Sequence, residues 1–351
     1  MQFDVIVPTL EDKLLQRAVA MILEAIYEQD FYNCSYGFRP GRSAHNALDV
    51  IWKEGMRPGL EVILVVDIRK FFDTLDHGHL REFLRQRLRD GVLLRLIGKW
   101  LRAGILEDEQ LRLPTEGTPQ GGVVSPILAN IYLHYVLDQW FHETVLRHLR
   151  GRAFLVRYAD DFIIGFTRTD DAQRVMAVID KRFAKFGLTI HPTKTKLVRF
   201  GKPRHHGRGG PSERPETFDF LGFTHYWARS RRGHWVIKRQ TSRSRFNRAV
   251  RAISDWCRKN RHLPVAEQHA SLIRKLRGHC AYYGITGNSP KLSAFRRCLV
   301  RTWFKWLRRR HRRRPNWDWF NRLLERYPLP SATPIHSVCL PKRSELRNRM
   351  R

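Results

Sequence analysis

The stretch Tyr158-Ala159-Asp160-Asp161 constrains this chain more than any other. It is a short polar break between two apolar, aromatic-rich runs, Phe154-Leu155-Val156-Arg157 and Phe162-Ile163-Ile164-Gly165-Phe166. Such runs around a brief break predict a β-hairpin with the two aspartates at its tip. Adjacent carboxylates repel one another and gain nothing there unless a cation sits beside them. Paired hard oxygen ligands suit Mg²⁺, which takes one or two carboxylates and keeps several waters. A solvated turn would carry the same residues, since Asp is common in turns.

Glu61-Val62-Ile63-Leu64-Val65-Val66-Asp67 is a continuous apolar run ending in a carboxylate. It predicts a buried strand that delivers one charge at its end; the other reading of Asp67 is a cap for the following helix. If strand and hairpin are neighbours, Asp67, Asp160 and Asp161 converge. Buried together they are costly unless metals neutralise them. Two metals roughly 4 Å apart would clamp the attacking and leaving oxygens of an in-line phosphoryl displacement, which is polymerase chemistry.

The charge balance points to the same class of partner. Lys and Arg number 65 against 33 Asp and Glu, a net charge of +32 over 351 residues. An extended polyanion is the natural counterpart, because each neutralised phosphate releases a counterion. No apolar run approaches the ~20 residues of a spanning helix and no secretory pattern opens the chain, so nucleic acid is preferred to a membrane. The cysteines (Cys34, Cys257, Cys280, Cys298 and Cys339) form no C-x-x-C pair. That argues against a zinc ribbon or a disulfide framework and fits a reducing compartment.

The motif Asp67-Ile68-Arg69-Lys70-Phe71-Phe72-Asp73 followed by Tyr158-Ala159-Asp160-Asp161 resembles the two catalytic motifs of a reverse transcriptase. Between them, Gly117-Thr118-Pro119-Gln120-Gly121-Gly122-Val123-Val124-Ser125-Pro126 resembles the nucleotide-side loop of those enzymes. The combination is most similar to group II intron-encoded reverse transcriptase/maturases, from about Val7 to about His336. The resemblance implies catalytic carboxylates at Asp67, Asp160 and Asp161, and two Mg²⁺ ions held at Asp67, Ile68, Asp160 and Asp161. It implies nucleotide contacts from Phe72, Gln120, Arg39 and Lys194, with Phe72 lying under the sugar and excluding a 2′-hydroxyl. Leu221 and Gly222 fall in the block that grips the primer end. Arg274, Lys275, Arg277, Tyr282 and Tyr283 fall in the maturase signature, an RNA-binding face.

In chain order, Thr9 is placed to cap a helix carrying Leu14, Leu15, Ala18, Ile22 and Ile26 at helical spacing. A Gly- and Pro-marked loop around Arg39 leads to a helix near Ser43 to Trp52. Helices are expected at His79 to Leu88, Val92 to Ala103, Ser125 to Trp140 and Asp171 to Phe186, with Asp73 and Asp76 as caps or salt-bridge partners. Short strands are expected at Gly187 to Ile190 and Lys196 to Phe200. Gly201 to Pro215 reads as a flexible insertion, where His205-His206 lacks further metal ligands. Phe218 to Phe223 and Gly233 to Ile237 read as a strand pair. From about Thr241 the chain turns to long basic helices (Ser242 to Lys259, Pro264 to Tyr283, Ser289 to Arg310) whose Arg, Tyr and Trp side chains suit phosphates and unpaired bases.

The expected architecture is therefore α+β: a right-hand palm with partial fingers over residues 1–240, then an all-α thumb/maturase domain over 241–336 and a basic tail over 337–351. The expected function is RNA-directed DNA synthesis together with binding of intron RNA to aid splicing and mobility. Its partners would be intron RNA, an RNA template, a DNA primer and dNTPs, with no membrane, in a bacterial cytoplasm. A non-catalytic RNA-binding splicing factor on the same fold is the rival, against which Asp67, Asp160 and Asp161 argue. A retron-type enzyme is disfavoured by the maturase-like C-terminal part. Relatives carry a fingers segment ahead of the Pro-Thr block and many carry a C-terminal endonuclease. Met1 stands close to Val7-Pro8-Thr9, so weak polymerisation with a raised KM for dNTP is a further expectation.

Overall fold

The computed structural model describes residues 9–102, 105–107, 110–112, 117, 122–203, 215–311 and 315–336. Val7-Pro8, Gln120, His205-His206, Cys339 and the basic tail lie outside these residues. The chain forms two compact units, Met1–Thr217 and Phe218–Arg351.

The first unit opens with α1 (Leu10–Tyr27), where the Thr9 hydroxyl accepts the Asp12 N–H as expected of an N-cap. Ser43 caps α2 (Ala44–Met56) in the same way. Strand β1 (Val62–Val66) follows, then a 3₁₀ turn at Phe71–Asp73 and helices α3 (His77–Arg85) and α4 (Gly91–Leu101). Asp76 and Asp90 cap these two helices, which settles Asp76 as a capping residue. A short hairpin, β2 (Ile105–Glu107) and β3 (Gln110–Arg112), precedes α5 (Ser125–Leu133). The sequence predicts one helix to Trp140. The backbone instead widens into π turns at His134–Asp138 and Phe141–Val145 before α6 (Leu146–His148). Strands β4 (Ala153–Tyr158) and β5 (Asp161–Phe166), helix α7 (Thr169–Ala184) and strand β6 (Lys196–Arg199) complete the unit.

The four long strands form one antiparallel sheet in the order β4-β5-β1-β6. The apolar run of β1 is therefore central, paired with β5 (Val66 opposite Phe162) and with β6 (Val65 opposite Lys196). Val62, Leu64, Val66, Phe162, Ile164 and Phe166 face one core with Leu23, Leu80, Leu128 and Phe183. Ile63, Ile163 and Val156 are as deeply buried, and alternation places them on the opposite face. A strand buried on both sides must be continuously apolar, which accounts for Val62 to Val66. Each such side chain contributes about 1.5–3 kcal/mol by leaving water.

The second unit begins with a three-stranded antiparallel sheet, β7 (Phe218–Phe220), β8 (Phe223–Arg229) and β9 (Trp235–Thr241). Helices α8 (Arg243–Lys259), α9 (Val265–Tyr283), α10 (Ser289–Arg310) and α11 (Trp317–Arg326) follow. The helical core gathers Ile253, Leu272, Leu276, Leu299, Trp303 and Phe320, and the Trp303 indole donates to Gln268 Oε1 at 3.0 Å. This sheet belongs with the helices. Asn288 ahead of α10 both accepts the Thr241 N–H (3.0 Å) and donates to its hydroxyl (2.9 Å), and Phe223 stacks on Tyr282. By compactness the two units divide after Thr217, so this sheet sits in the same unit as the helices. Among the described residues no helix is long and apolar enough to cross a membrane.

Candidate active site

The sheet brings the two predicted carboxylate motifs to one end. Asp67 follows the last residue of β1, and the two-residue turn Ala159-Asp160 joins β4 to β5, with Tyr158 paired to Asp161 across it. Continuing the register beyond Val66–Phe162 carries Asp67 toward that turn. Burial pushes the Asp160 carboxyl above the usual carboxylate range, and the negative charge of Asp67 pushes it further the same way. Asp67 and Asp160 thus lie near one another at the end of the sheet.

The backbone around Asp67 is fixed by the segment that follows α7. The Asp67 carbonyl accepts the His191 N–H at 2.8 Å, and Arg69 N–H donates to Thr189 at 2.8 Å. Ile68 bridges Ile190 and is itself buried. The expected strand at Gly187 to Ile190 is reduced to this single bridge. Lys194 Nζ lies 3.0 Å from Asp67 Oδ2, in a pair whose side chains are 61% and 30% exposed.

Phe71 and Phe72 have different surroundings. Phe71 is buried against Tyr132, while Phe72 is half-buried and meets Phe71 edge-on at 5.3 Å. Gly117, where the described part of the nucleotide-side loop touches this region, docks on the same backbone. Its N–H donates to Leu75 at 2.7 Å, and a Cβ there would stand 3.0 Å from the Phe72 carbonyl oxygen and 2.8 Å from that of Asp73. With φ of +89° as well, the position requires glycine.

Asp161 is the exposed first residue of β5, and continuing the β1–β5 register sets it opposite Asp67. Among the described residues no group of three acidic, His or Cys side chains that could hold a metal is present. Two expectations change. Arg39 is not free to meet a nucleotide. Its side chain is 2% exposed, pairs with Glu28 at 2.7 Å, and donates to the carbonyls of Tyr32 (2.7 Å) and Ser35 (3.0 Å). A guanidinium with a fixed fork of donors satisfies several loop carbonyls at once, which is its work here. Tyr282 and Tyr283 are not open stacking platforms. The Tyr282 hydroxyl donates to the Leu221 carbonyl at 2.9 Å and its ring stacks on Phe223, while the Tyr283 hydroxyl is the atom nearest Gly222.

Leu221 and Gly222 form the turn between β7 and β8, with φ of +49° and +78°. Both central residues are left-handed, as the tightest hairpins require. On α9, Arg274, Lys275 and Arg277 are exposed, and Lys275 lies over the Trp256 ring at 5.5 Å.

Sequence reasoning missed the residues beneath the hairpin. Arg157 and Asp138 are both completely buried and form an ion pair of 2.5 and 2.9 Å contacts. Arg157 also donates to Asn130 Oδ1 (2.9 Å) and to the Ala159 carbonyl (3.2 Å). The available signal was Arg157 itself, a charge inside an otherwise apolar strand.

Two carboxylates whose charges repel, one held out of water, gain from a cation beside them, and the Lys194 ammonium already lies against one of them. Hard oxygens at this position fit Mg²⁺.

Comparison with known proteins gives matches along most of the chain. The family "Reverse transcriptase (RNA-dependent DNA polymerase)" matches residues 3–225, and "Group II intron, maturase-specific domain" matches residues 245–324. The group II intron-encoded protein LtrA of Lactococcus lactis subsp. cremoris is 47% identical over 128 residues, 36% of this chain and 21% of LtrA. Protein YkfC of Escherichia coli K12 is 40% identical over 151 residues, 42% of this chain and 38% of YkfC. The chain thus spans well under half of these curated relatives. Among solved structures, a Candida albicans telomerase matches with TM-score 0.47 at 16% identity, covering 90% of this chain and 54% of the telomerase.

Proposed function

Since the chain belongs to the reverse transcriptase (RNA-dependent DNA polymerase) family and carries a group II intron maturase-specific domain, we propose that it synthesises DNA on an RNA template and binds intron RNA. The observation that carries the catalytic half is the Asp67–Asp160 pair at the end of the β1–β5 ladder. Asp67 and Asp160, with the Ile68 backbone, would hold Mg²⁺. When bound, the metal supplies Lewis-acid stabilisation of charge on the primer 3′-oxygen and the leaving pyrophosphate.

The chain's own residues do the rest. Lys194 sits beside Asp67, within reach of a polyphosphate drawn to the same cation, and an ammonium there offsets its charge. The half-buried Phe72 ring offers a sugar a flat apolar floor. Gly117, just ahead of Pro119-Gln120-Gly121-Gly122 in sequence, docks against the Phe72–Leu75 backbone, and Gln120 is the nucleotide contact by resemblance. In the second unit the Leu221–Gly222 turn is the primer-side element, and the exposed Arg274, Lys275 and Arg277 are phosphate contacts for structured RNA. LtrA, by its name, is encoded by a group II intron; a role for this chain in splicing and mobility of such an intron follows by similarity.

Primer extension on an RNA template tests the reading. Asp160→Asn and Asp67→Asn should each abolish dNTP incorporation while leaving RNA affinity within about twofold. Extension near wild-type rate by either variant would sink the carboxylate assignment. Loss of extension in both with intact RNA binding separates this reading from an RNA-binding protein without catalysis.

A further inference from the structure

The hairpin that carries Asp160 stands on an unusual foundation. Ala159 has φ of +54°, a conformation that side-chain-bearing residues rarely adopt and that costs energy to hold. Something must over-determine it. Directly below, Arg157 is completely buried and spends its guanidinium on three groups: both oxygens of the equally buried Asp138, the amide oxygen of Asn130, and the carbonyl of Ala159 itself. Asn130 passes the constraint on, since its amide donates to the Gly37 carbonyl at 2.7 Å. Gly37 lies so close to the hairpin that an added Cβ would stand 2.4 Å from Ala159 N. The flanking backbone closes the frame: Arg157 N–H donates to Cys34 at 2.8 Å and its carbonyl accepts from Tyr36 at 2.9 Å.

A buried ion pair is a poor way to gain stability, because desolvating both charges offsets most of their attraction. A hydrophobic pair of the same volume would serve the core as well or better. What such a pair could not do is present a donor to one particular backbone carbonyl. We propose that Arg157, held by Asp138 and Asn130, is a positioning residue for the carboxylate pair: by binding the Ala159 carbonyl it fixes the left-handed turn and so aims Asp160 at Asp67. The π turn at His134–Asp138 fits this role, since it ends on the residue whose carboxylate grips Arg157. Wider turns of this kind interrupt helices preferentially at functional sites. The proposal rests on the reading that Asp67 and Asp160 hold the metal.

The test separates positioning from mere support. Arg157→Met alone would strand a buried Asp138 charge, so the informative change is the double variant Arg157→Met/Asp138→Leu in the full chain. Mn²⁺ serves as the probe, its binding followed by electron paramagnetic resonance alongside thermal melting and primer extension. The expected result is melting at or above wild type, Mn²⁺ affinity reduced on the order of 10–100-fold, as for other groups that orient metal ligands, and kcat reduced with it at unchanged RNA affinity. Asn130→Ala, which keeps the ion pair, carries the same expectation at the lower end of that range and decides the matter if the double variant does not fold. Wild-type Mn²⁺ affinity in either folded variant overturns the proposal. Asp67→Asn/Asp160→Asn is the control: Mn²⁺ binding unchanged there removes the metal reading, and the proposal with it.

Discussion

At the scale of single residues, the site trades stability for chemistry. A carboxyl whose pKa is raised in the fold binds its proton more tightly folded than unfolded. Stability then falls as pH rises from the ordinary aspartate value of ~3.9 through the raised one, and the cost is fully present above the raised value. Asp160→Asn should therefore melt at a higher temperature than wild type at pH 7 while failing to extend a primer; a lower melting temperature would contradict the burial argument. Lys194 behaves differently. Its pair with Asp67 is largely in water, so Lys194→Ala should change stability by less than ~1 kcal/mol in a urea titration. Its effect should be read in a raised KM for dNTP. Phe72→Ala should relax sugar choice, because the ring leaves open the space a 2′-hydroxyl needs. Incorporation assays with matched ribo- and deoxynucleotides check this, and an unchanged preference would remove Phe72 from the site.

At the scale of elements, the β4–β5 and β7–β8 turns, proposed for catalysis and primer contact, both hold a side-chain-bearing residue at positive φ: Ala159 and Leu221. In a turn chosen for stability alone, Leu221 would be Asn or Gly. Leu221→Asn should leave the second unit as stable as wild type or firmer, by about 1 kcal/mol in chemical melts, with lower primer-extension activity if the leucine contacts the primer. Gly222 has no such freedom. At φ of +78° its Cβ would stand 2.9 Å from the Tyr283 hydroxyl, so Gly222→Ala should cost about 1–2 kcal/mol and loosen the turn that Tyr282 holds.

At the scale of the whole molecule, acid should act on the second unit through two buried histidines. Burial holds the His225 pKa down to about 3, with Arg239 adding to the effect, and holds that of His279 down to about 4. Unfolded, each binds a proton near pH 6.5. Stability is therefore complete above about pH 6.5 and is lost as pH falls toward the folded values. Tryptophan fluorescence melts from pH 7 to 5 should show this loss, and His225→Phe should flatten it. A slope unaffected by that change would mean the ring is not kept neutral. The unit division gives a second check: a fragment of residues 218–351 should keep most of the RNA affinity, with log–log salt slopes of about −0.7 per single-strand phosphate neutralised. A fragment starting at 242 lacks the sheet that Asn288 and Tyr282 bind, and should fold poorly.

Much of this protein was legible in local sequence, because the forces that specify it act within a few residues. Thr9 and Asp76 cap the helices they precede, Ser289 to Arg310 is helical from end to end, and Val62 to Val66 forms the doubly buried strand its composition demands. The aspartates at the ends of that strand and of the hairpin stood out as candidates for chemistry, with a helix cap and a solvated turn as the competing local uses. Which of them face one another was decided by the sheet, whose register pairs residues about a hundred positions apart and carries Asp67 to the hairpin turn. Tertiary structure also decided what the arginines do. Among 65 basic residues, nothing near Arg39 in sequence marks it as buried, and Arg157 is marked only by its place in an apolar strand. Their partners come from a preceding helix and from residues 19 and 27 positions away, so only the packed chain could turn two apparent surface charges into the frame of the site. Burial removes water, and in its absence a guanidinium is held by whatever acceptors the fold brings to it.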